Sequence, residues 1–334
     1  MLNVLSLFSG IGAFEKALKN NNVDFNLVNY CEIDKYASKA YSLIHNVSED
    51  KNLHNVTKID TSKLSNIDLI TYGFPCQDIS QAGVQKGLKD NQGNLTRSGL
   101  FFEALRVIKE LKPAYAIAEN VKALTSKKFK NEFELILNSL EQAGYKNYYK
   151  VLNAKDFGIP QNRERVFIVS IRNDIEQDFA FPTGETLKIR LKDMLESEVD
   201  AKFYLSEAQI KGRLESNYNT RKTSVIDSDI SPTICARDYK EPKCVQISNI
   251  VEEKNFKKQQ RCGGLEPKIL SDNLKIRKLT PLEYWRLMGF TDEDFLKCSK
   301  AGISNSQLYK QAGNSIVVNV LQAIFKELIK NEAI

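Results

Sequence analysis

The stretch Ile67-Asp68-Leu69-Ile70-Thr71-Tyr72-Gly73-Phe74-Pro75-Cys76-Gln77 decides the fold. Its apolar first half reads as a short buried strand, and the Gly-Phe-Pro turn behind it ends that strand. Cys76 then stands at the strand's carboxyl end, the edge at which open α/β sheets hold their ligands. Two more polar constellations border apolar runs downstream. Glu119-Asn120-Val121 follows Ala114 to Ala118, and Gln161-Asn162-Arg163-Glu164-Arg165 precedes Val166 to Ile171. A thiol, a carboxylate and a guanidinium pair on three neighbouring strands are the parts needed to attack an electron-poor ring.

Outward from that stretch, strand-like and helix-like patterns alternate. Val4 to Leu7, Phe25 to Tyr30, Ile67 to Tyr72, Ala114 to Ala118, Tyr148 to Leu152 and Val166 to Ser170 read as strands. Ala13 to Lys19, Lys35 to Ile44, Leu100 to Leu111 and Phe129 to Ala143 read as helices. The alternation predicts an α/β fold, a Rossmann-like, doubly wound and mostly parallel sheet. After Asp174 it gives way to short apolar pieces and turn signals. Helical spacing returns at Pro281 to Met288, and a helix from Val317 to Asn331 closes the chain. The expected organisation is a catalytic domain of residues 1–180 plus 305–334. A smaller, loop- and strand-rich domain with a connecting helix fills 181–304, its loops lying within 181–276.

Composition narrows the function classes. The chain has 334 residues, 42% hydrophobic and 27% charged, as a soluble globular protein does. No apolar stretch approaches the ~18 residues of a membrane span. Met1 to Phe8 lacks a basic leader and a cleavage site, so it reads as a first strand. Six cysteines contain no Cys-x-x-Cys pair, and there are two histidines. This speaks against a metal site and for a reducing cytoplasm. The net charge of +6 is localised: residues 201–280 carry 16 Lys/Arg against 10 Asp/Glu, and the rest of the chain is balanced. Such a stretch suits a surface facing a polyanion, although a lysine-rich solvated face gives the same composition.

Phe8-Ser9-Gly10-Ile11-Gly12-Ala13-Phe14 joins the first strand to the first helix. Its glycines allow a tight bend and close approach to a ligand at a helix N-terminus. Glu32 follows at the end of the second strand, where a carboxylate typically takes a ribose hydroxyl. NAD and S-adenosylmethionine both fit. The third glycine of the dinucleotide fingerprint is absent, which favours S-adenosylmethionine, a donor with no pyrophosphate to cradle.

Taken together these motifs resemble the cytosine-C5 DNA methyltransferase family of bacterial and phage type, from restriction-modification systems or orphan. Phe8-Ser9-Gly10-Ile11-Gly12 matches its donor loop, Pro75-Cys76-Gln77 its nucleophile motif, Glu119-Asn120-Val121 its acid motif and Gln161 to Arg165 its arginine motif. Arg277-Lys278-Leu279-Thr280-Pro281-Leu282-Glu283 through Phe290 looks like the segment that packs under the recognition domain, and Gln311-Ala312-Gly313-Asn314-Ser315 like the motif that closes the cofactor pocket. The resemblance covers residues 4–172 and 277–322 in the usual, unpermuted order.

That resemblance implies methylation of C5 of a flipped-out cytosine within a specific double-stranded DNA sequence. Cys76 is the nucleophile on C6, Glu119 acts at N3, Arg165 holds O2 and Arg163 adds positive field. Donor contacts fall to Phe8, Gly10, Gly12, Glu32, Ile33, Asn55, Leu100, Asn314 and Ser315. The family usually has Asp where Asn55 stands, and an Asn oxygen accepts a hydrogen bond without charge. Gln77 to Thr96 corresponds to a mobile loop that closes over the base. Gln77, Ser80 and Arg97 are its DNA contacts, with Gln81 or Ala82 near the vacated stack. In the recognition domain Thr233, Arg237, Gly263 and Gly264 face DNA. A monomer without metal is expected, with a cognate restriction endonuclease as a possible partner. Three other readings stay open: an RNA (tRNA) cytosine-C5 methyltransferase, a catalytically silent DNA-binding protein, and an NAD dehydrogenase that leaves Cys76 unexplained. An amino-methyltransferase is disfavoured because the chain has no Pro-Pro dipeptide.

Overall fold

The computed structural model describes residues 1–76, 78–79, 87–88, 96–210, 225–226, 229–247 and 275–330. The central sheet holds β1 (Leu2–Leu7), β2 (Phe25–Cys31), β3 (Leu69–Tyr72), β4 (Tyr115–Val121), β5 (Tyr145–Asn153) and β7 (Glu164–Arg172), while β6 (Gln161–Asn162) lies outside it. Their order is β2-β1-β3-β4-β7-β5. β1 to β4 pair in parallel, and β7 runs antiparallel to both β4 and β5. One reversed strand in a sheet of six makes it mostly parallel, as the alternation predicts.

Each strand sends alternate side chains to opposite faces. Val4, Leu69, Tyr115, Ile117, Phe167 and Val169 face one apolar layer. It is completed by α1 (Ala13–Asn20), α2 (Lys35–His45) and the C-terminal helices. Leu5, Leu7, Ile70, Tyr72, Ala116, Ala118 and Ile168 face the other layer. That one is covered by α3 (Phe101–Leu111) and α4 (Lys130–Gln142). Local signals set the helix ends: Asp34 caps α2 by accepting from the Tyr36 and Ala37 amides.

Among the described residues, four helices follow residue 280: α5 (Pro281–Arg286), α6 (Asp292–Lys300), α7 (Asn305–Asn314) and α8 (Val318–Ile329). α5 and α8 match the helices expected from sequence, whereas α6 and α7 were not expected. A start signal for α6 was present, since Thr291 and Asp294 form a reciprocal capping box. The described part of 181–276 holds short 3₁₀ turns and short strands: β8 (Val225–Ile226), β9 (Ser231–Pro232), β10 (Cys244–Ile247) and, just beyond, β11 (Lys275–Lys278). Leu205, Ile210, Cys244 and Ile276 form a small cluster of their own. Ile234, Val245, Leu279 and Trp285 instead join the main core beside β1 and α8. Under this region Arg277 and Glu283, 1% and 0% exposed, make a bidentate pair at 2.8 and 2.6 Å. Glu283 also accepts from the Thr280 and Glu196 amides, so its charge is fully engaged.

Candidate active site

β3 ends at Tyr72, and Gly73-Phe74-Pro75 carries the chain to Cys76 at the carboxyl edge of the parallel strands. Beside it, Glu119-Asn120-Val121 forms the last three residues of β4 and not the loop behind it, as the apolar run alone suggests. The physical reason is β7, whose first residues extend the pairing as far as Val121↔Arg165. Arg165 likewise lies inside β7. A parallel β7 would carry its first residues to the opposite edge; the reversal brings Arg163 and Arg165 to Cys76.

Register explains the central ion pair. Glu119 lies opposite Phe167, and Val121 opposite Arg165, so Glu119 and Arg165 are diagonal neighbours on one sheet face. Arg165 Nε lies 3.0 Å from Glu119 Oε1, and its Nη1 donates to the Glu164 carbonyl at 2.8 Å. Asn120 faces the other way. It donates to the Phe74 carbonyl at 3.1 Å and accepts from the Val121 amide, tying the end of β4 to the turn that bears Cys76. Burial raises the Glu119 carboxyl above the ordinary range, while Arg165 and Arg163 pull it down. Burial and the Glu119 charge likewise push the Cys76 thiol up, against the same two guanidiniums. The sequence reading expected a positive neighbourhood to favour the thiolate. The guanidiniums are near, but desolvation and Glu119 outweigh them.

Arg163 occupies a different place from its partner. It is 4% exposed and donates Nη1 to the Ile234 carbonyl at 2.8 Å, and Nη2 to those of Ser315 at 2.7 Å and Gly313 at 3.3 Å. Burial and the Arg165 charge lower it to about 9, so it stays charged at neutral pH. Gln161, not singled out as a site residue, is fully buried behind it. Its amide donates to the Leu287 carbonyl at 2.8 Å and accepts from the Ile234 amide at 3.1 Å. Its place at the head of the arginine motif was the only sequence signal.

The donor-loop residues gather at the carboxyl ends of β1 and β2. Phe8, Gly10 and Gly12 all take positive φ, of 53°, 56° and 80°. Gly12 begins α1, and a Cβ there would lie 2.1 Å from His45 Nε2, so no side chain fits. His45 Nε2 lies 3.1 Å from the Ile11 carbonyl, and burial lowers its pKa to about 3, so the ring is neutral and Nε2 donates. A Cβ on Gly10 would meet no atom within 4 Å, which leaves room above the loop. Glu32 accepts from the Gly10 amide at 2.8 Å and the Asp34 amide at 2.7 Å, and Ile33 beside it is 75% exposed. A bent loop, a fixed carboxylate and an exposed apolar side chain fit the sugar and base of a nucleoside-bearing donor. Asn52, which sequence reasoning missed, fixes Glu32 by bonding both its amide and its carbonyl. Asn55 uses its oxygen to cap the turn at Thr57. Leu100 is half-buried just before α3; at the end of α7 Asn314 is exposed and Ser315 buried.

β9 pairs with β6, which lays Thr233 against the arginine motif; its hydroxyl donates to the Asn162 carbonyl at 2.6 Å. Arg237 is exposed on the following turn, and Arg97 is exposed before α3. Asp78 and Ser98 hold the two ends of the 77–97 segment together. Gln77, Ser80, Gln81, Ala82, Gly263 and Gly264 lie outside the described residues.

Comparison with known proteins agrees with this geometry. The family model for C-5 cytosine-specific DNA methylase matches residues 2–330. The orphan methyltransferase M.SPBetaI of Bacillus phage SPbeta is 34% identical, over 98% of this chain and 97% of its own. The type II methyltransferase M2.ScrFI of Lactococcus lactis subsp. cremoris is 36% identical, over 99% and 100%. Among solved structures, the S. pombe Dnmt2 methyltransferase superposes with a TM-score of 0.70 at 22% identity, over 99% of each chain, a likeness of fold. With its sheet, its edge cluster and a family match over nearly its whole length, the chain belongs to the C-5 cytosine-specific DNA methylases and is a DNA cytosine-5 methyltransferase.

Proposed function

We propose that this enzyme methylates C5 of a cytosine turned out of a specific double-stranded DNA sequence, through a covalent bond from Cys76 to C6. The observation that carries the reading is the facing of Glu119 and Arg165 at 3.0 Å beside Cys76. C6 cannot be attacked from above while the base is stacked, so the base leaves the helix at a cost of about a few kcal/mol. Bond formation from Cys76 Sγ to C6 pushes electrons toward C5. Glu119 meets N3, where its raised pKa favours a shared proton, and Arg165 has donors free to hold O2 as charge develops there. When bound, S-adenosylmethionine supplies the methyl group; Phe8, Gly10, Gly12, Glu32, Ile33, Asn55, Leu100, Asn314 and Ser315 form its site. Loss of the C5 proton then lets the thiolate leave and restores the ring. Arg163 contributes positive charge from behind and no substrate contact.

In the same reading, residues within 181–304 form the target recognition domain, with Thr233 and Arg237 toward the DNA. Gln77, Ser80, Arg97, Gly263 and Gly264 complete that surface. The enzyme works as a cytoplasmic monomer on chromosomal or phage DNA, with a cognate endonuclease as a possible partner. No helix among the described residues is long and apolar enough to cross a membrane. Bisulfite sequencing of DNA from expressing cells tests the reading: protected cytosines in one recurring sequence context are expected. Unmodified DNA alongside methylated RNA would favour the RNA enzyme.

A further inference from the structure

Three observations converge on α7. In its second half, Lys310 Nζ bonds Asp34 Oδ2 at 2.6 Å and Gln311 donates to the Tyr36 carbonyl at 2.9 Å. These acceptors follow directly on Glu32 and Ile33. Within the next turn, at the end of the helix, the Gly313 and Ser315 carbonyls are held by Arg163, whose third bond goes to Ile234 beside Thr233. Gly313 also lies backbone to backbone against the turn before Arg237: a Cβ there would stand 2.2 Å from Ala236 N. The C-terminal turn of one helix thus touches two segments far apart in sequence, one proposed for the donor and one for DNA. A buried guanidinium with backbone carbonyls as its partners locks the joint.

We propose that Arg163 is a positioning residue, and that through α7 it couples donor occupancy at Glu32–Asp34 to the grip on DNA at Thr233–Arg237. This rests on the functional reading above. A donor that orders Glu32 to Tyr36 fixes α7, and α7 fixes the target-facing turn through Gly313 and Arg163. The coupling is reciprocal, because each ligand changes the other's affinity by the same factor. The fork geometry matters more than the charge. A lysine at position 163 keeps the charge but cannot bond carbonyls of both segments in the same planar arrangement.

The test measures the Kd of a duplex carrying the mapped methylation site, with and without saturating S-adenosylhomocysteine, and the converse by calorimetry. The parent protein is expected to bind each ligand more tightly in the presence of the other, by about fivefold or more. Arg163→Lys loses most of that factor while keeping each separate affinity within a few fold. Gly313→Ala, which leaves Arg163 in place but forces the backbones apart, loses it too. Thermal melting identifies a variant that fails to fold, and the other then carries the test. Undiminished coupling in either folded variant overturns the proposal. So does a parent protein that binds both ligands without coupling, a result that leaves the methyltransferase reading standing. Failure of the parent to bind either ligand overturns both.

Discussion

The two arginines of one motif, Arg163 and Arg165, end in different surroundings. Arg165 stands at the sheet edge with Glu119 and Cys76, where side chains face one another and keep unused donors. Arg163 sits in the joint between Ile234, Gly313 and Ser315, where backbone carbonyls take its donors. Arg163 stands just before β7 and Arg165 just inside it, and residue type does not tell them apart. Surroundings do: an edge cluster is held short of full satisfaction so that a substrate can complete it. At the joint the protein's own carbonyls meet both terminal nitrogens of Arg163. Substitutions at the edge should therefore act on rate, and substitutions at the joint and its supports on stability and coupling.

The largest effect is expected at the edge. If the carboxyl acts on N3 as proposed, Glu119→Gln should slow single-turnover methyl transfer by about 10²–10⁴-fold, with DNA affinity changed far less. Equal losses in affinity and rate would make Glu119 a binding residue and blur the comparison. Next comes the support beneath the joint. Arg277→Met strands the Glu283 carboxylate in a dry site and should cost about 3–5 kcal/mol in denaturant unfolding. Its folded fraction should keep most of its turnover. A cost below about 1 kcal/mol would mean that water or another cation reaches Glu283.

Much of the edge was legible in the sequence, and little of the joint. Cys76, Glu119 and Arg165 each stand next to an apolar run, so strand ends located them. The reversal of β7 was not legible. A strand of nine residues looks the same in either direction, and only pairing with β4 and β5 shows that its start meets the ends of the others. The joint escaped because its partners are carbonyls, which every residue carries. Arg163 thus read as a second charge for the site, and Gly313 as part of a cofactor motif. Asn52 escaped for a similar reason, since it serves Glu32 through that residue's backbone. α6 and α7 are not evident in the sequence because polar residues interrupt their apolar faces.

Smaller effects sharpen the edge itself. With the Cys76 thiol raised by burial and Glu119, its thiolate fraction at neutral pH lies below that of an ordinary cysteine. Iodoacetamide alkylation of Cys76, read peptide by peptide, should climb about tenfold per pH unit and still be rising at pH 9. A plateau below pH 8 would mean that the two guanidiniums outweigh burial. The smallest effect is expected at Asn55. An Asp there caps Thr57 as well as Asn does and offers a charged acceptor, so Asn55→Asp should tighten S-adenosylmethionine by about 1 kcal/mol in calorimetry. A weaker donor would place Asn55 outside the donor site.

Covalent attack by Cys76 is the centre of the account, and one trapping experiment reaches it directly. A duplex with 5-fluorocytosine at the mapped target is incubated with the enzyme and S-adenosylmethionine, and the adduct is digested and located by mass spectrometry. Fluorine at C5 cannot leave as a proton does, so the bond to sulfur persists. One adduct is expected, on the peptide bearing Cys76, and none with Cys76→Ala. An adduct on another cysteine, or trapping that survives Cys76→Ala, would contradict it.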